Sequence, residues 1–215
     1  MLIVKDINVF IGKHHILRNV SIEVPKGSLT GLIGRNGAGK TTFMKAIMGI
    51  LPVKNGQIII NKEDVTRKEP YYRAYLNIGY MPEDRRLIPE LTVEENILLP
   101  LFARKIKDYN AKLSYVYELI PEVEGMSSRK ALQLSGGQQK LVALARAIIN
   151  GENLLLLDEP FEGVAPALAK RLLEILNQLK IEGRSIILSE SDYTHSSKLV
   201  DQSYVIERGE IIQKN

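Results

Sequence analysis

The stretch that determines the fold is LTGLIGRNGAGKTTFMKAI, which occupies residues 29–47. Its first five residues are largely apolar and follow a polar break, which predicts a short strand. Residues 34–41 read GRNGAGKT and match the phosphate-loop pattern G-x-x-x-x-G-K-[ST]. Beyond this loop, Phe43, Ala46 and Ile47 recur with the spacing of one helical face. A strand, a glycine-rich loop and a helix in this order predict an α/β fold that binds phosphate.

Each residue type in this loop suits phosphate binding. Glycines let successive backbone N–H groups curl around phosphate oxygens, and the amino terminus of the following helix adds a favourable dipole. Lys40 is expected to reach the β and γ phosphates of a nucleotide, and Thr41 to offer its hydroxyl to Mg²⁺. The predicted nucleotide-binding set comprises Gly34, Asn36, Gly37, Ala38, Gly39, Lys40, Thr41 and Thr42.

Further strands and helices extend from the loop in both directions. Short apolar segments predict strands at residues 2–10, 20–24, 56–60, 78–81, 153–157 and 185–189, and a closing hairpin at 204–206 and 210–213. A capping-box pattern at residues 92–95 opens a mostly helical region that extends to about residue 150. Pro166 fits the first turn of another helix, whose apolar stripe ends near Gly183.

Length and composition limit the class of protein. A chain of 215 residues with 45% hydrophobic residues can bury one sizeable core, and we predict a single domain over residues 1–215. No apolar run approaches the roughly 18 to 20 residues of a membrane-spanning helix, and the amino-terminal segment lacks a signal pattern, so we expect a cytosolic protein. The absence of cysteine excludes disulfides and thiolate metal sites. The net charge of +4 is mild and typical of a solvated surface.

A second candidate site lies at the end of the apolar segment LLLL, residues 154–157. Asp158 and Glu159 follow it directly, and α/β proteins bind ligands at the carboxyl edge of their parallel strands. Acidic residues after a strand are also common in turns. The pair therefore indicates a ligand-binding site mainly because the sequence also contains a phosphate loop. We predict Asp158 as a ligand of Mg²⁺ and Glu159 as the base that orients or activates the attacking water.

A second glycine loop, LSGGQ at residues 134–138, precedes an apolar-periodic helix. Ser135 is placed to cap that helix, while the glycine pair exposes backbone N–H groups to a second anion. Taken with the phosphate loop and the acidic strand end, this loop closely resembles the nucleotide-binding domain of ABC ATPases. The resemblance covers essentially the whole chain. It implies an α/β P-loop NTPase core with an antiparallel β element and a helical lobe at about residues 93–150.

The resemblance implies a site that is shared between two chains. Two such domains meet head to tail, so that Ser135, Gly137 and Gln138 of one chain face the phosphate loop of the other across ATP. The partner is a second copy or a paralogous ATPase subunit, and the helical lobe contacts membrane permease subunits. ATP and Mg²⁺ are the implied cofactors, and no nucleic acid is expected. The protein would lie on the cytoplasmic face of the cell membrane, where ATP binding closes the pair and hydrolysis reopens it.

Three segments are similar to the ATPases of branched-chain amino-acid importers. They read MPEDRR at residues 81–86, PELTVEEN at 89–96 and EGVAP at 162–166. Glu83 stands where most ABC ATPases carry a glutamine that joins Mg²⁺ to the γ-phosphate, which implies a metal ligand. An exposed loop acid is the alternative. Ala165 stands where many relatives have an aspartate that crosses the dimer interface, and it also fits the importer pattern.

The sequence departs from the family pattern at two further positions. Ser191 stands where most relatives have a histidine that contacts the γ-phosphate and the attacking water. A hydroxyl can hydrogen-bond phosphate but carries no positive charge, so hydrolysis would depend more heavily on Glu159. His195 is one helical turn further on and could substitute, or it is an ordinary surface residue. Ile11 stands near the place of an aromatic residue that stacks on adenine, which predicts loose, apolar recognition of the base.

The resulting prediction is the ATP-hydrolysing subunit of an ABC transporter that imports branched-chain amino acids or a similar small solute. Its catalytic set is Glu159, Lys40 and Ser191. Its metal-binding set is Thr41, Asp158 and Glu83. One alternative is a nucleotide-gated regulatory module that scarcely hydrolyses ATP, and another is the ATPase of an exporter. An ABC-type ATPase acting on DNA or in translation would usually carry long coiled-coil insertions or two fused copies, and the sequence has neither.

Overall fold

The fold is given by a computed structural model that describes residues 1–192 and 194–215. Its strands are β1 (Leu2–Ile11), β2 (His14–Val24), β3 (Leu29–Ile33), β4 (Val53–Ile60), β5 (Glu63–Asp64), β6 (Ile78–Met81), β7 (Leu154–Asp158), β8 (Ser185–Glu190), β9 (Gln202–Glu207) and β10 (Glu210–Lys214). Its helices are α1 (Lys40–Ile47), α2 (Tyr72–Tyr75), α3 (Val93–Ala103), α4 (Asn110–Leu119), α5 (Pro121–Glu124), α6 (Gly136–Asn150) and α7 (Pro166–Ile181), with a 3₁₀ turn at Ala131–Gln133.

The larger sheet has six strands in the order β10-β9-β3-β8-β7-β6. Neighbouring strands are parallel except in the β9–β10 hairpin at one edge. Asp158 at the end of β7 pairs with Ser189 of β8, and Ile33 of β3 pairs with Glu190. The carboxyl ends of β3, β7 and β8 therefore lie side by side. This register brings the phosphate loop and the acidic strand end to one edge of the sheet.

Strand β7 is uniformly apolar because both faces of the larger sheet are covered. Side chains along a strand alternate between its two faces. Leu154 and Leu156 join the core that contains α1, whereas Leu155 and Leu157 join the core formed with the helices on the opposite face. All four are fully buried, and each contributes about 1.5–3 kcal/mol relative to an exposed side chain. Strand β7 therefore holds Asp158 rigidly at the edge of the sheet.

The smaller sheet is antiparallel, with strand order β2-β1-β4-β5. Helix α1 lies between the two sheets, because its residues Phe43 and Met44 are fully buried in a core to which both sheets contribute. Helices α3, α6 and α7 pack on the other face of the larger sheet. The phosphate loop at the start of α1 is thus supported by a helix that is packed on both sides.

The predicted α/β fold with an antiparallel β element is confirmed, and α3 to α6 lie within the region predicted to be helical. Strand β2 starts at His14 instead of residue 20, because its first half is only partly buried and lacks a continuous apolar run. The place of His14 and His15 between two apolar segments predicts that they lie in a hairpin turn, but both belong to β2 and this prediction is wrong. The turn occupies residues 12–13, and His15 stacks on Phe10 with ring centroids 4.2 Å apart. None of the described helices is long and apolar enough to span a membrane.

Candidate functional site

The phosphate loop joins β3 to α1 and requires glycine at three positions. A Cβ atom on Gly34 would lie 2.3 Å from the carbonyl oxygen of Ile206. Gly37 and Gly39 have φ angles of 81° and 117°, in the left-handed region that residues with side chains rarely adopt. Gly39 is the N-cap of α1, and no described side chain caps the helix there. The first N–H groups of α1 are therefore available to an anion.

A cavity of about 450 Å³ opens over this loop. Its lining combines the loop, α1, the acidic strand end and the antiparallel sheet: Ile11, Ile16, Asn36, Gly37, Gly39, Lys40, Thr41, Thr42, Glu83 and Glu159. The structure therefore brings most of the predicted nucleotide-binding residues together with Glu83 and Glu159. Gly34 and Ala38 do not line the cavity. They lie in the interior of the loop, where the Ala38 carbonyl accepts a 2.9 Å hydrogen bond from the Gly209 N–H.

Lys40 and Glu159 form a buried ion pair at this cavity. Nζ of Lys40 lies 2.9 Å from Oε1 of Glu159, and the two side chains are only 5% and 8% exposed. The same ammonium donates hydrogen bonds to the main-chain carbonyls of Gly34 and, at 3.1 Å, Arg35. A phosphate bound by the loop would compete with Glu159 for Lys40, because both are anions. The pair thus links the predicted phosphate ligand to the predicted base.

Asp158 is fully buried at the end of β7 and is suited to bind a cation. Its Oδ1 accepts a 2.7 Å hydrogen bond from the hydroxyl of Ser189. Its Oδ2 is buried and has no hydrogen-bond partner among the described residues, which is costly for a carboxylate. Mg²⁺ takes oxygen ligands, with carboxylates prominent among them in proteins. A carboxylate oxygen without a partner at this position therefore fits the predicted metal.

Carboxylates crowd around the same edge of the sheet. The pKa of Glu83 is raised by its own burial and by the neighbouring charges of Glu162, Asp158 and Glu159. Like charges disfavour one another's ionised form, so a divalent cation would relieve the crowding. Thr41 lines the same cavity as Glu83. The residues present therefore fit Mg²⁺, and the roles of Thr41, Asp158 and Glu83 as ligands stay predictions.

Glu159 is held by contacts from several elements. Its φ of 50° lies in the left-handed region, and its N–H donates to Oγ of Ser189 at 3.1 Å. The hydroxyl of Ser191 lies 3.1 Å from Oε1 of Glu159 and 3.1 Å from Oδ1 of Asn36. Its single proton is better donated to the carboxylate, because a hydrogen bond to a charged acceptor is stronger. Ser191 thereby connects the phosphate loop to Glu159.

The LSGGQ loop, residues 134–138, starts α6 and faces a different cavity. Oγ of Ser135 accepts from the Gln138 N–H at 3.3 Å, and the Gln138 side chain accepts from the Ser135 N–H at 3.0 Å, which forms a capping box. Gly137 lines a second cavity of about 430 Å³, and Glu83 lines both cavities. None of residues 134–138 lines the first cavity. Within one chain, the two glycine loops therefore serve separate cavities.

Part of the lining of the first cavity is aliphatic. Ile11 is 47% exposed and lines the cavity together with Ile16. Phe10, the neighbouring aromatic residue, does not line it and stacks on His15 instead. That the base is recognised through apolar contact with Ile11 stays a prediction. Ile16 was missed because an isoleucine within a strand carries no signal of its own.

His195 lies near the predicted base. It stacks on Phe161 with ring centroids 5.1 Å apart and lines a third cavity, of about 250 Å³, together with Glu159 and Ser191. An imidazole at this place could carry the positive charge that the serine hydroxyl lacks. Its role as a substitute for the missing histidine stays a prediction.

Lys140 is a residue that the sequence patterns did not single out. It lies on α6, two residues after the LSGGQ loop, and is only 6% exposed. The available signal was a lysine directly before the apolar run LVALA of this helix. A lysine buried there must find hydrogen-bond acceptors inside the protein.

Comparison with known proteins connects this site to one family. Residues 17–162 match the family described as ABC transporter. The chain is 36% identical over 212 residues to the high-affinity branched-chain amino acid transport ATP-binding protein BraG of Pseudomonas aeruginosa, covering 99% of this chain and 91% of that protein. It is 30% identical over 199 residues to the lipopolysaccharide export system ATP-binding protein LptB of Escherichia coli K12, covering 92% and 83%.

Solved structures share the whole fold. The ADP conformation of an ATP-binding cassette of an ABC transporter matches with a TM-score of 0.83 and 31% identity, covering 100% of this chain and 90% of that chain. A dimeric bacterial ABC transporter cassette matches with a TM-score of 0.88, covering 100% and 98%. Its identity of 22% supports similarity of fold alone.

Proposed function

Because the chain belongs to the ABC transporter family and is an ATPase of that family, we propose that it powers the import of branched-chain amino acids or a similar small solute. The observation that carries the ATP-hydrolysing part of the proposal is the cavity that joins Lys40, Thr41 and Glu159 at the carboxyl edge of the larger sheet. The amino acid transport relative supports import. The lipopolysaccharide export relative makes an exporter the second candidate.

The residues that line the cavity have different roles in the proposed hydrolysis of ATP. The N–H groups of the phosphate loop bind the ATP phosphates, and Lys40 moves its hydrogen bond from Glu159 to them. The carboxylate of Glu159, oriented by Ser191, is then free to accept a proton from the attacking water. The water oxygen bonds to the γ-phosphorus as the bond from that phosphorus to ADP breaks, which releases ADP and phosphate. Thr41 and Asp158 would hold Mg²⁺, which would offset the negative charge of the phosphates.

A complete site requires two chains in this proposal. The α6 amino terminus, with Ser135, Gly137 and Gln138, faces the nucleotide of a partner, which is a second copy or a paralogous subunit. Two observations support this arrangement. The LSGGQ loop does not line the cavity over the chain's own phosphate loop, and a cassette with this fold has been solved as a dimer. No nucleic acid takes part.

An exposed aromatic patch on α2 and α3 fits a permease partner. Tyr71, Tyr75 and Phe102 are 67%, 55% and 45% exposed. Tyr71 and Tyr75 pack edge to face, with ring centroids 6.4 Å apart, and the Arg104 guanidinium lies 5.8 Å from the Tyr75 ring. Aromatic residues and arginine are enriched in protein interfaces. We propose that this patch contacts the permease and thereby holds the chain at the cytoplasmic face of the membrane.

Reconstitution tests the proposed transport. The protein is assembled in liposomes with the permease subunits that it copurifies with, and uptake of radiolabelled leucine, isoleucine and valine is measured with and without ATP. ATP-dependent uptake is the expected result. ATP-dependent movement of a solute in the opposite direction would favour the exporter. ATP hydrolysis that drives no solute in either direction would contradict both.

Replacing Ser191 by alanine is expected to lower kcat for ATP hydrolysis about fivefold, with little change in KM. The hydroxyl donates one hydrogen bond to Glu159, and such a bond contributes about 1 kcal/mol. Phosphate release under multiple turnover measures the effect, with Ser114→Ala on the exposed face of α4 as the control. If the unaltered protein releases no phosphate with or without its membrane partners, the nucleotide-gated regulatory module is the better interpretation.

Replacing Ile11 by tyrosine is expected to tighten ATP binding about tenfold, because stacking of a base on an aromatic ring contributes about 1–3 kcal/mol. Ile11 lines the cavity and is exposed enough to accept the larger ring. Equilibrium titration with a fluorescent ATP analogue measures the dissociation constant. Ile181→Tyr, at the exposed end of α7, is the matched control. Equal affinity of the Ile11 variant and the unaltered protein would show that the base does not lie against this residue.

A further inference from the structure

Lys140 connects α6 to the segment that follows β7. Its ammonium donates hydrogen bonds to two main-chain carbonyls of that segment, those of Glu159, at 3.1 Å, and of Glu162. It forms no ion pair with any described residue, although Glu159 and Glu162 are near enough to influence it. Burial lowers the pKa of Lys140, and these carboxylates oppose the effect. The buried ammonium of Lys140 therefore binds main-chain carbonyls and holds this segment of backbone in place.

The segment to which Lys140 donates these hydrogen bonds, residues 159–162, contains an unfavourable backbone conformation. Glu159 has a side chain and a φ of 50°, a conformation that persists only where the surroundings impose it. Three contacts impose it here. Ser189 accepts from the Glu159 N–H at 3.1 Å, and the Glu159 carbonyl accepts from the Glu162 N–H at 3.2 Å and from Lys140. Lys140 supplies the one contact that comes from outside this edge of the sheet.

The direction of the Glu159 side chain depends on that backbone. The φ of a residue sets the directions of its Cα–Cβ bond relative to the preceding peptide. A relaxation of φ towards negative values would swing the carboxylate away from Lys40 and Ser191, which now lie 2.9 and 3.1 Å from Oε1. Displacements of about 1 Å can cost a hundredfold in rate when a reacting group is misplaced.

We propose that Lys140 is a positioning residue for ATP hydrolysis, which holds the Glu159 backbone in its left-handed conformation and so aims the Glu159 carboxylate. The proposal rests on the proposed role of Glu159 as the base. It also gives α6 two functions. The amino terminus of α6 faces the partner's nucleotide, and one turn later the same helix fixes the base that acts on the chain's own nucleotide.

The helix cap does not depend on Lys140, so the two functions can be separated by mutation. Ser135 and Gln138 cap α6 through each other. Lys140→Met keeps the length and apolar stem of the side chain but removes its donors, whereas Lys140→Arg keeps donors and charge. Lys140→Gln, with a shorter side chain and one amide donor group, serves if the methionine variant does not fold. Thermal unfolding of each purified full-length variant confirms that it is folded.

Two measurements test the proposal. In Lys140→Met, kcat for ATP hydrolysis is expected to fall at least about tenfold with KM within about twofold, and Lys140→Arg is expected to recover most of the loss. Hydrogen exchange of the amides at residues 161–164 is expected to be about tenfold faster in Lys140→Met, while exchange in β7 is unchanged. The contrary result is a Lys140→Met variant that unfolds more easily while its kcat does not fall selectively relative to KM. That result would show that Lys140 has a merely structural role, and it would overturn the proposal.

Failure of this proposal is distinguishable from failure of the proposed function. If the unaltered protein hydrolyses ATP and Lys140→Met does so equally fast, Lys140 is not a positioning residue, and the ATPase stands. If the unaltered protein does not hydrolyse ATP, the exchange measurement still decides whether Lys140 holds the segment. Unchanged exchange at residues 161–164 would overturn the proposal in either case.

Discussion

Replacing Glu159 by glutamine lowers kcat for ATP hydrolysis by about a thousandfold, the expected loss when a general base is removed. ATP still binds, and at least as tightly as before. Glu159 holds Lys40 at 2.9 Å in a buried ion pair, and a neutral amide competes less well with the phosphates for that ammonium. Phosphate release at saturating ATP measures the first effect, and calorimetric titration measures the second. The ATP-bound pair of chains is expected to stay closed, which size-exclusion chromatography detects.

The matched control for this variant is Glu118→Gln on the exposed face of α4, which is expected to retain full activity. Two results would contradict the assignment of Glu159. One is a kcat within about threefold of the unaltered protein, which would place the base elsewhere, with His195 the next candidate. The other is a loss of ATP binding equal to the loss of kcat, which would mean that Glu159 is required to form the nucleotide site.

Replacing Lys40 by methionine is expected to weaken ATP binding about a hundredfold, because the ammonium is the positive charge placed among the loop carbonyls where the phosphates bind. The change also leaves Glu159 buried without its cation. Removing one partner of a buried ion pair typically lowers the free energy of unfolding by about 3–5 kcal/mol. Titration with ATP measures the affinity, and urea denaturation measures the stability.

A double variant separates these two consequences of losing Lys40. With Glu159→Gln in the same chain, no buried carboxylate is left unpaired, so stability is expected to return while the affinity for ATP remains low. Lys45→Met, on the same helix but outside the cavity, is the control for the loss of a lysine from α1. A Lys40→Met variant that binds ATP normally would show that the phosphates do not occupy this loop.

The fold was accessible from the sequence because its strongest signals are local. The phosphate loop requires glycine where a side chain would collide with Ile206 and where the backbone has a positive φ. The run LLLL before Asp158 is apolar throughout because both faces of β7 are covered. Elements without such a signal were missed, among them the two-residue strand β5 and the single turn α2. Their residues are held by neighbours and not by their own periodicity.

The details of the site were less accessible, because they depend on contacts between distant residues. Ser191 reaches Asn36 across 155 residues and Glu159 across 32. Its position was predicted by resemblance, but the bridge that it forms could not be. The contacts of Lys140 could not be predicted, because its acceptors are main-chain carbonyls, which every residue type carries. Patterns of side chains thus predict which groups are present, and the packing of strands decides which of them meet.

The phosphate loop is completed by the far end of the chain. The Gly209 N–H donates to the carbonyl of Ala38, and Gly34 packs against Ile206 in the neighbouring strand β9. During synthesis, these partners leave the ribosome long after the loop itself, and contacts of such high sequence separation form late in folding. A nascent chain that ends before β9 is therefore expected to bind no ATP, so that an unfinished subunit cannot take up nucleotide before it can join a transporter.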